Sequence, residues 1–400
     1  MSTFAQVVSC LDGYDPDALR VDKAGEAIRA CLTPVTEVET VAIRDSLGRV
    51  LAQDIVPAIN VPGHDNSAMD GWAVRSADLS FSQDVSLKQI GSAFAGKVFQ
   101  GKIQAGECVR VMTGAVMPRG ADTVVVQEVC RADQERITVP AGQKAGQNVR
   151  AADLGLMASL GIADVKVKRR LRVAFFSTGD ELASIGTPLA QGQVYDSNRY
   201  TLHGMLSGLG VEIIDMGVVR DDPAKLEAAF AAAAAKADAI ITTGGVSVGE
   251  ADFVKQLMAK LGEVLFWKIA MRPGRPMAFG KIGKATLFGL PGNPVAVMVT
   301  FHQFVRDALL VLGGRTDSFE IPLLKAVSAT AIRKVPGRTE YQRGVLFAEN
   351  GAWKVRTTGQ QGSGVLRSMS EANCYIVLEH ERGKVEAGEL VSVQLMAALA

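Results

Sequence analysis

Between Leu171 and about Leu312, short apolar runs alternate with stretches whose apolar residues recur every three or four positions. Arg172 to Phe176, Val211 to Met216, Ala239 to Ile241, Val264 to Ile269 and Thr286 to Leu290 read as strands. Leu202, Met205, Leu206 and Leu209 form a helical stripe ended by Gly210. Asp221-Asp222-Pro223 opens an alanine-rich helix, with an acid at the cap and proline in the first turn. Strands alternating with helices predict an α/β fold, a doubly wound and mostly parallel sheet with helices on both faces. In such folds ligands bind beyond the carboxyl ends of the strands.

The flanks carry a different pattern. A helical stripe runs from about Val21 until Thr33-Pro34 stops it. From residue 41 the runs are short and β-rich: Val41 to Ile43, Cys108 to Met112, Thr123 to Gln127 and Ile137 to Val139, separated by Gly, Pro and polar turns. The stretch Asn60 to Val74 reads as a polar loop that cannot pack into a core. β-leaning runs return at Val327 to Ile332, Val345 to Phe347, Tyr375 to Leu378 and Leu390 to Leu395. The expected organisation is an elongated multidomain chain. Residues 1–40 and 146–170 form a helical linking region, 41–145 a β-rich domain, 171–320 the α/β domain and 321–400 a small β domain.

Candidate chemistry gathers at the strand ends. Ala239 to Ile241 leads into Thr242-Thr243-Gly244-Gly245-Val246-Ser247-Val248-Gly249-Glu250-Ala251-Asp252, and a helical pattern follows. Glycines at 244, 245 and 249 let the backbone approach a ligand, and the next helix start favours an anion. Two acids beside an anion site conflict at about 4 kcal/mol for charges ~4 Å apart at an effective dielectric of ~20. A divalent cation bridging acids to phosphate removes that conflict. Other strands end in Ser177-Thr178-Gly179-Asp180-Glu181 and in Asp221-Asp222, and Lys268, Arg272 and Arg275 follow a fourth. Oxygen donors of this kind suit Mg²⁺ or Ca²⁺ rather than zinc or copper. The basic cluster is expected to hold the ligand's anionic end. None of the four histidines lies in a strand-end motif, and no G-x-G-x-x-G spacing occurs, so metal-assisted chemistry by positioning and charge is expected.

The totals add exclusions. A net charge of +1 over 400 residues gives no bulk signal for nucleic acid or membrane. The five cysteines contain no C-x-x-C pair, which argues against a zinc site or a disulfide framework. The N-terminus has no export signal, and the apolar window Val295 to Leu312 carries His302, Gln303, Arg306 and Asp307, as an amphipathic helix does. A cytoplasmic protein is expected.

Five motifs in collinear order then resemble one family. Asp65-Asn66-Ser67-Ala68-Met69-Asp70-Gly71, Met112-Thr113-Gly114-Ala115, Ser177-Thr178-Gly179-Asp180-Glu181-Leu182, the Gly244 to Asp252 loop and Leu290-Pro291-Gly292-Asn293-Pro294 are similar to those of the molybdopterin molybdenumtransferases. The C-terminal domain of gephyrin is in that family. The resemblance implies an Mg²⁺-dependent enzyme that takes adenylylated molybdopterin and molybdate, inserts the metal at the dithiolene and releases AMP. It implies a homodimer with a shared cleft, and contacts with a molybdopterin adenylyltransferase and with acceptor apo-enzymes. Glu181, Asp221 and Asp252 match its metal-holding acids, with Lys268, Pro291 and Pro294 at further functional positions. Asp65 and Thr113 would reach the site from the partner chain. Gly179, Gly244, Gly245, Ser247 and Gly249 fall in the ligand loops, and Arg343 and Ser363 resemble residues near molybdate. Arg272 stands where lysine is common, which keeps the charge and changes its geometry. After Gln147-Asn148-Val149-Arg150 the family carries a further acidic stretch, whereas this chain passes directly to Ala151-Ala152-Asp153. The other readings are a molybdopterin-binding scaffold without turnover and a molybdopterin adenylyltransferase.

Overall fold

The computed structural model describes residues 15, 17–55, 67, 70–78, 87–94, 96–113, 115–126, 149–159, 161–244, 257, 260–316 and 321–396. The expected strand Ile137 to Val139 lies outside them. The chain opens with helix α1 (Val21–Ala30), whose Ala24, Ala27 and Ile28 are buried, and strand β1 (Val38–Ala42). Strands β2 (Gly71–Val74), β3 (Lys88–Ala93), β4 (Glu107–Val111) and β5 (Thr123–Val126) form a four-stranded sheet in the order β3-β4-β2-β5.

The stretch expected to be a polar loop therefore ends as a central strand. Ala73 and Val74 are buried, and Trp72 lies under Arg110 with its Nε1 donating to Gln89 Oε1 at 2.9 Å. Four residues are too few for a strand pattern to stand out beside so many turn formers. Helix α2 (Ala151–Ser159) then leads to β6 (Asp164–Lys168), which returns to pair antiparallel with β1. A separate cluster of Leu51, Val149, Met157, Val165 and Val167 packs there.

The α/β unit follows, with β7 (Arg172–Thr178), the short parallel pair β8 (Leu182–Ala183) and β9 (Val194–Tyr195), α3 (Ser197–Gly208), β10 (Glu212–Val219), α4 (Pro223–Lys236) and β11 (Ala239–Thr243). Next come β12 (Gly262–Lys268), β13 (Met271–Arg272), β14 (Pro276–Ile282), β15 (Ala285–Leu290) and α5 (Pro294–Leu312). The six-stranded sheet has the order β10-β7-β11-β15-β14-β12. Its first four strands run parallel, and β14 is antiparallel to both of its neighbours. The α/β expectation holds, mostly parallel with an antiparallel hairpin added.

Period-two alternation splits the sheet residues between two cores. Val173, Phe175, Ile241 and Phe288 face α3 and α5, whereas Ala174, Phe176, Ile240 and Leu287 face α4. Each fully buried phenylalanine contributes roughly 1.5–3 kcal/mol. Helix α5 is apolar and long enough to cross a bilayer, but most of it is buried within the protein core. It contains a π-turn at Phe301–Val305.

The last unit comprises β16 (Leu324–Ser328), β17 (Thr339–Glu349), β18 (Ala352–Thr357), α6 (Arg367–Ser370), β19 (Cys374–Leu378) and β20 (Leu390–Leu395). The order β17-β18-β16-β20-β19 closes on itself through a β17–β19 pairing, which makes a small barrel around Leu346, Val355, Ile376 and Val393. Strand β13 adds to the free end of β17, with Arg272 opposite Glu340. The α/β unit and the barrel are thus stitched by backbone.

Candidate functional site at the strand ends

Strands β10 and β7 pair with Val219 opposite Thr178, so the loops after them begin side by side. Gly179 has φ +147°, a backbone conformation that favours glycine, and a Cβ there would stand 2.6 Å from a Glu181 carboxylate oxygen, so the carboxylate lies against the strand end where a side chain would displace it. The paired acids resolve into different tasks. Asp180 sits 3.7 Å from Arg220, and Asp222 caps α4 by accepting from the Lys225 N–H at 2.9 Å. Glu181 and Asp221 are exposed residues in the loops that follow these adjacent strands.

Further along the rim, Gly244 has φ +87° after β11, and a Cβ there would meet the Thr178 carbonyl oxygen at 2.5 Å. Its N–H donates to Leu290 O at 3.2 Å, and a Cβ on Gly292 would come within 3.8 Å of the Gly244 Cα. Pro291 and Pro294 flank that contact, and Pro294 starts α5. The loop of the small barrel then abuts: Val295 N–H donates to Ser363 O at 3.1 Å. Arg343 reaches the same loop, its Nη2 donating to Gly362 O and its Nε to Ser368 Oγ, both at 3.0 Å. Thus Glu181, Gly179, Gly244, Pro291, Pro294, Ser363 and Arg343 form one row from the acid edge to the barrel.

Arg343 is 1% exposed, and burial pushes its guanidinium down to about 10, with a smaller contribution from nearby Arg272. A buried cation of this kind, bonded only to neutral oxygens in the interactions seen, is suited to an incoming anion. Together with Arg272, Arg333, Glu340 and Gln342 it lines a cavity of about 370 Å³.

The cations do not meet the acids. Strand β12 lies four strands from β7, and at a spacing of about 4.8 Å that is roughly 19 Å across the rim. Lys268 at its end donates to Asp17 Oδ1 at 2.6 Å, and this bond, then the Lys268 charge, holds the Asp17 carboxyl below its ordinary range. Sequence alone suggested a single cluster; strand order sets the acids and Lys268 at opposite ends of the sheet's rim.

Thr113 lies apart, in the β2–β5 sheet, where its N–H and Oγ1 donate to Asp70 Oδ1 at 2.7 and 2.8 Å and depress the Asp70 carboxyl. Asp65, Gly245, Ser247, Gly249, Glu250 and Asp252 lie outside the described residues. Among the described residues no group of three potential metal ligands forms. Asp153 is 4% exposed and accepts from Arg150 N–H at 2.8 Å at the start of α2, so it serves as a cap there.

Two rim residues escaped the sequence reading. Asn198 is 7% exposed and donates to Gly292 O at 2.7 Å, while its Oδ1 has no partner among the described residues. Asp196 caps α3 through Oδ1, and its buried Oδ2 is likewise unpartnered. An Asp-Ser-Asn start to a helix is an ordinary capping signal, so nothing distinguished it from a cap.

The chain resembles known proteins along its whole length. Family models match for the MoeA N-terminal region (domain I and II) over residues 19–161, a probable molybdopterin binding domain over 174–311, and the MoeA C-terminal region (domain IV) over 325–396. A molybdopterin molybdenumtransferase of Haemophilus influenzae is 42% identical, covering 94% of this chain and 98% of that protein. A protein of the same name from a Nostoc species is 36% identical over 89% of this chain and 88% of its own. A crystal structure of the molybdopterin biosynthesis moeA protein from Pyrococcus horikoshii superposes with a TM-score of 0.79 at 27% identity, covering 95% of this chain and 100% of that one.

Proposed function

The chain belongs to the molybdopterin molybdenumtransferase family, and we propose that it takes adenylylated molybdopterin and molybdate, places the metal at the dithiolene and releases AMP. It is a transferase of molybdenum cofactor biosynthesis that serves molybdenum insertion. The observation that carries the finer reading is the unbroken row of rim residues from Glu181 through Gly244 and Pro294 to Arg343. A substrate with a phosphate bridge at one end and a metal-accepting dithiolene at the other needs a cleft of that length, with charges of opposite sign at its ends.

In this reading the phosphate bridge lies at the acid edge. Glu181 and Asp221 on neighbouring strand ends, with Asp252 as the expected third, offer the oxygen-only donor set that Mg²⁺ takes. A bound magnesium ion supplies charge neutralisation to the phosphates. Gly179 and Gly244 bring backbone close to the ligand, and Asn198 offers an unpartnered carbonyl oxygen. At the far end Arg343 and Arg272 attract molybdate into their cavity, with Ser363 beside it and Lys268 farther along the edge. Gly245, Ser247 and Gly249 extend the ligand loop.

Thr113 follows β4 in the β2–β5 sheet, and this reading has it serve, together with Asp65, the cleft of a second copy in a cytoplasmic homodimer. The backbone and hydroxyl bonds to Asp70 support it, because they hold Thr113 at a fixed place on that sheet. A molybdopterin adenylyltransferase upstream and acceptor apo-enzymes downstream complete the set of partners.

Purified protein given Mg²⁺, molybdate and adenylylated molybdopterin is expected to release AMP, as followed by chromatography of the nucleotide. Release that is the same with and without molybdate would contradict metal insertion and favour an adenylyl-handling or scaffold role.

A further inference from the structure

The cavity that holds Arg343 also contains a carboxylate, which is out of place in a site for anions. Glu340 is 3% exposed. Its Oε1 lies 3.4 Å from Arg338 Nε and 4.0 Å from Arg272 Nη1, and its Oε2 accepts from Gln342 Nε2 at 3.0 Å. Lys334 is near enough that the Glu340 charge opposes the effect of burial on its ammonium. We infer that Glu340 is the cavity's resident counter-ion, which occupies the cations in the empty state and sets how tightly a tetrahedral oxyanion is held. This deepens the reading of the cavity as the molybdate end of the cleft and rests on it.

The physical case has two parts. Cations gathered without an anion repel one another, and Arg272 already disfavours the charge on Arg343. A fixed carboxylate relieves that strain, but it also repels an incoming dianion twice as strongly as a monoanion. Arg272 decides the exchange. Its side chain is 56% exposed, and 4.0 Å is beyond hydrogen-bond length, so its guanidinium is free to turn from Glu340 to a ligand. Its backbone is not free. Arg272 pairs with Glu340 in the β13–β17 ladder, and Thr339 N–H donates to Ala270 O at 2.9 Å. Removing the Glu340 charge therefore leaves Arg272 in place and releases only its side chain.

Titration calorimetry of the full chain with sodium molybdate, and separately with tungstate, at fixed ionic strength tests this. Glu340→Gln keeps the shape and the Gln342 contact and is expected to tighten both anions roughly tenfold. Arg338→Gln removes the nearest cation from Glu340, leaves the carboxylate to Arg272, and is expected to weaken both anions by about threefold. A merely structural glutamate would weaken binding on substitution. Unchanged or weaker binding by Glu340→Gln, or, where Glu340→Gln does not fold, unchanged or tighter binding by Arg338→Gln, overturns the inference alone. Failure of the unaltered chain and of Glu340→Gln to bind either anion overturns the placement of molybdate in this cavity, and the inference with it.

Discussion

Glu181→Gln is expected to lower molybdate-dependent AMP release roughly 100- to 1000-fold while leaving the fold intact. The side chain is exposed and Gln keeps its size, so stability should change by no more than about 0.5 kcal/mol. What changes is charge at the place where Gly179 allows the carboxylate to lie against the end of β7. One charge about 4 Å from a cation at an effective dielectric of ~20 contributes about 4 kcal/mol per unit of opposing charge, and solvent exposure trims that figure. A remaining 3–4 kcal/mol in the transition state corresponds to the stated range. Rates at saturating substrate, beside urea midpoints for both proteins, make the comparison.

Acid should expose a second feature, the π-turn in α5. His302 Nδ1 lies 2.9 Å from Tyr375 Oη across the seam between α5 and the barrel, with Phe301 edge-on to its ring. Tyr375 pairs with Arg343 in the β17–β19 ladder, so this contact sits directly behind the cavity. Packing on most sides, aided by Arg306, pushes the imidazole down from its ordinary value to about 4. The folded value is the lower one, so between pH 6.5 and about 4 the unfolded chain binds more protons. The stabilisation is complete above pH 6.5 and is lost as pH falls toward 4, up to about 3 kcal/mol. His302→Gln does not titrate and can keep a hydrogen bond to Tyr375. The difference in urea midpoint between the two proteins is therefore expected to open across that window, while carboxylates common to both cancel. Parallel curves from pH 7 to 4 would show that the imidazole charges freely in the folded chain.

How far the sequence went depends on which physical signal each element leaves. β7 and β11 announced themselves as continuous apolar runs of buried parallel strand, and the edge strand β10 as a shorter apolar run between helical spacings, with capping residues such as Asp222-Pro223 after it. β14 left no such mark: Pro273-Gly274-Arg275-Pro276 reads as a turn, although the strand starts at Pro276 itself. The glycine loops were legible as loops. Gly244 is required by its close approach to the Thr178 backbone and Gly179 is favoured by its φ, and no periodicity could have revealed either.

Strand order was the larger gap. Nothing in the residues says that β14 inserts between β15 and β12, and this insertion carries Lys268 to the far edge, away from the acids. Arg343 was visible only through family resemblance, because its fitness for an anion comes from burial and from the closing β17–β19 pair. The paired acids show the reverse. Residue type alone could not choose between Asp180 and Glu181, or between Asp221 and Asp222, and only the family resemblance did; the structure adds that Asp180 lies by Arg220 and that Asp222 caps α4.

The most direct measurement is a magnesium titration of AMP release in Glu181→Gln, Asp221→Asn and the double variant. Two ligands of one ion lose most of their effect together, so each single change should raise the half-saturating magnesium at least tenfold and the double change should add little more. Effects that multiply, or a magnesium requirement untouched by either change, would mean that the ends of β7 and β10 do not form one site.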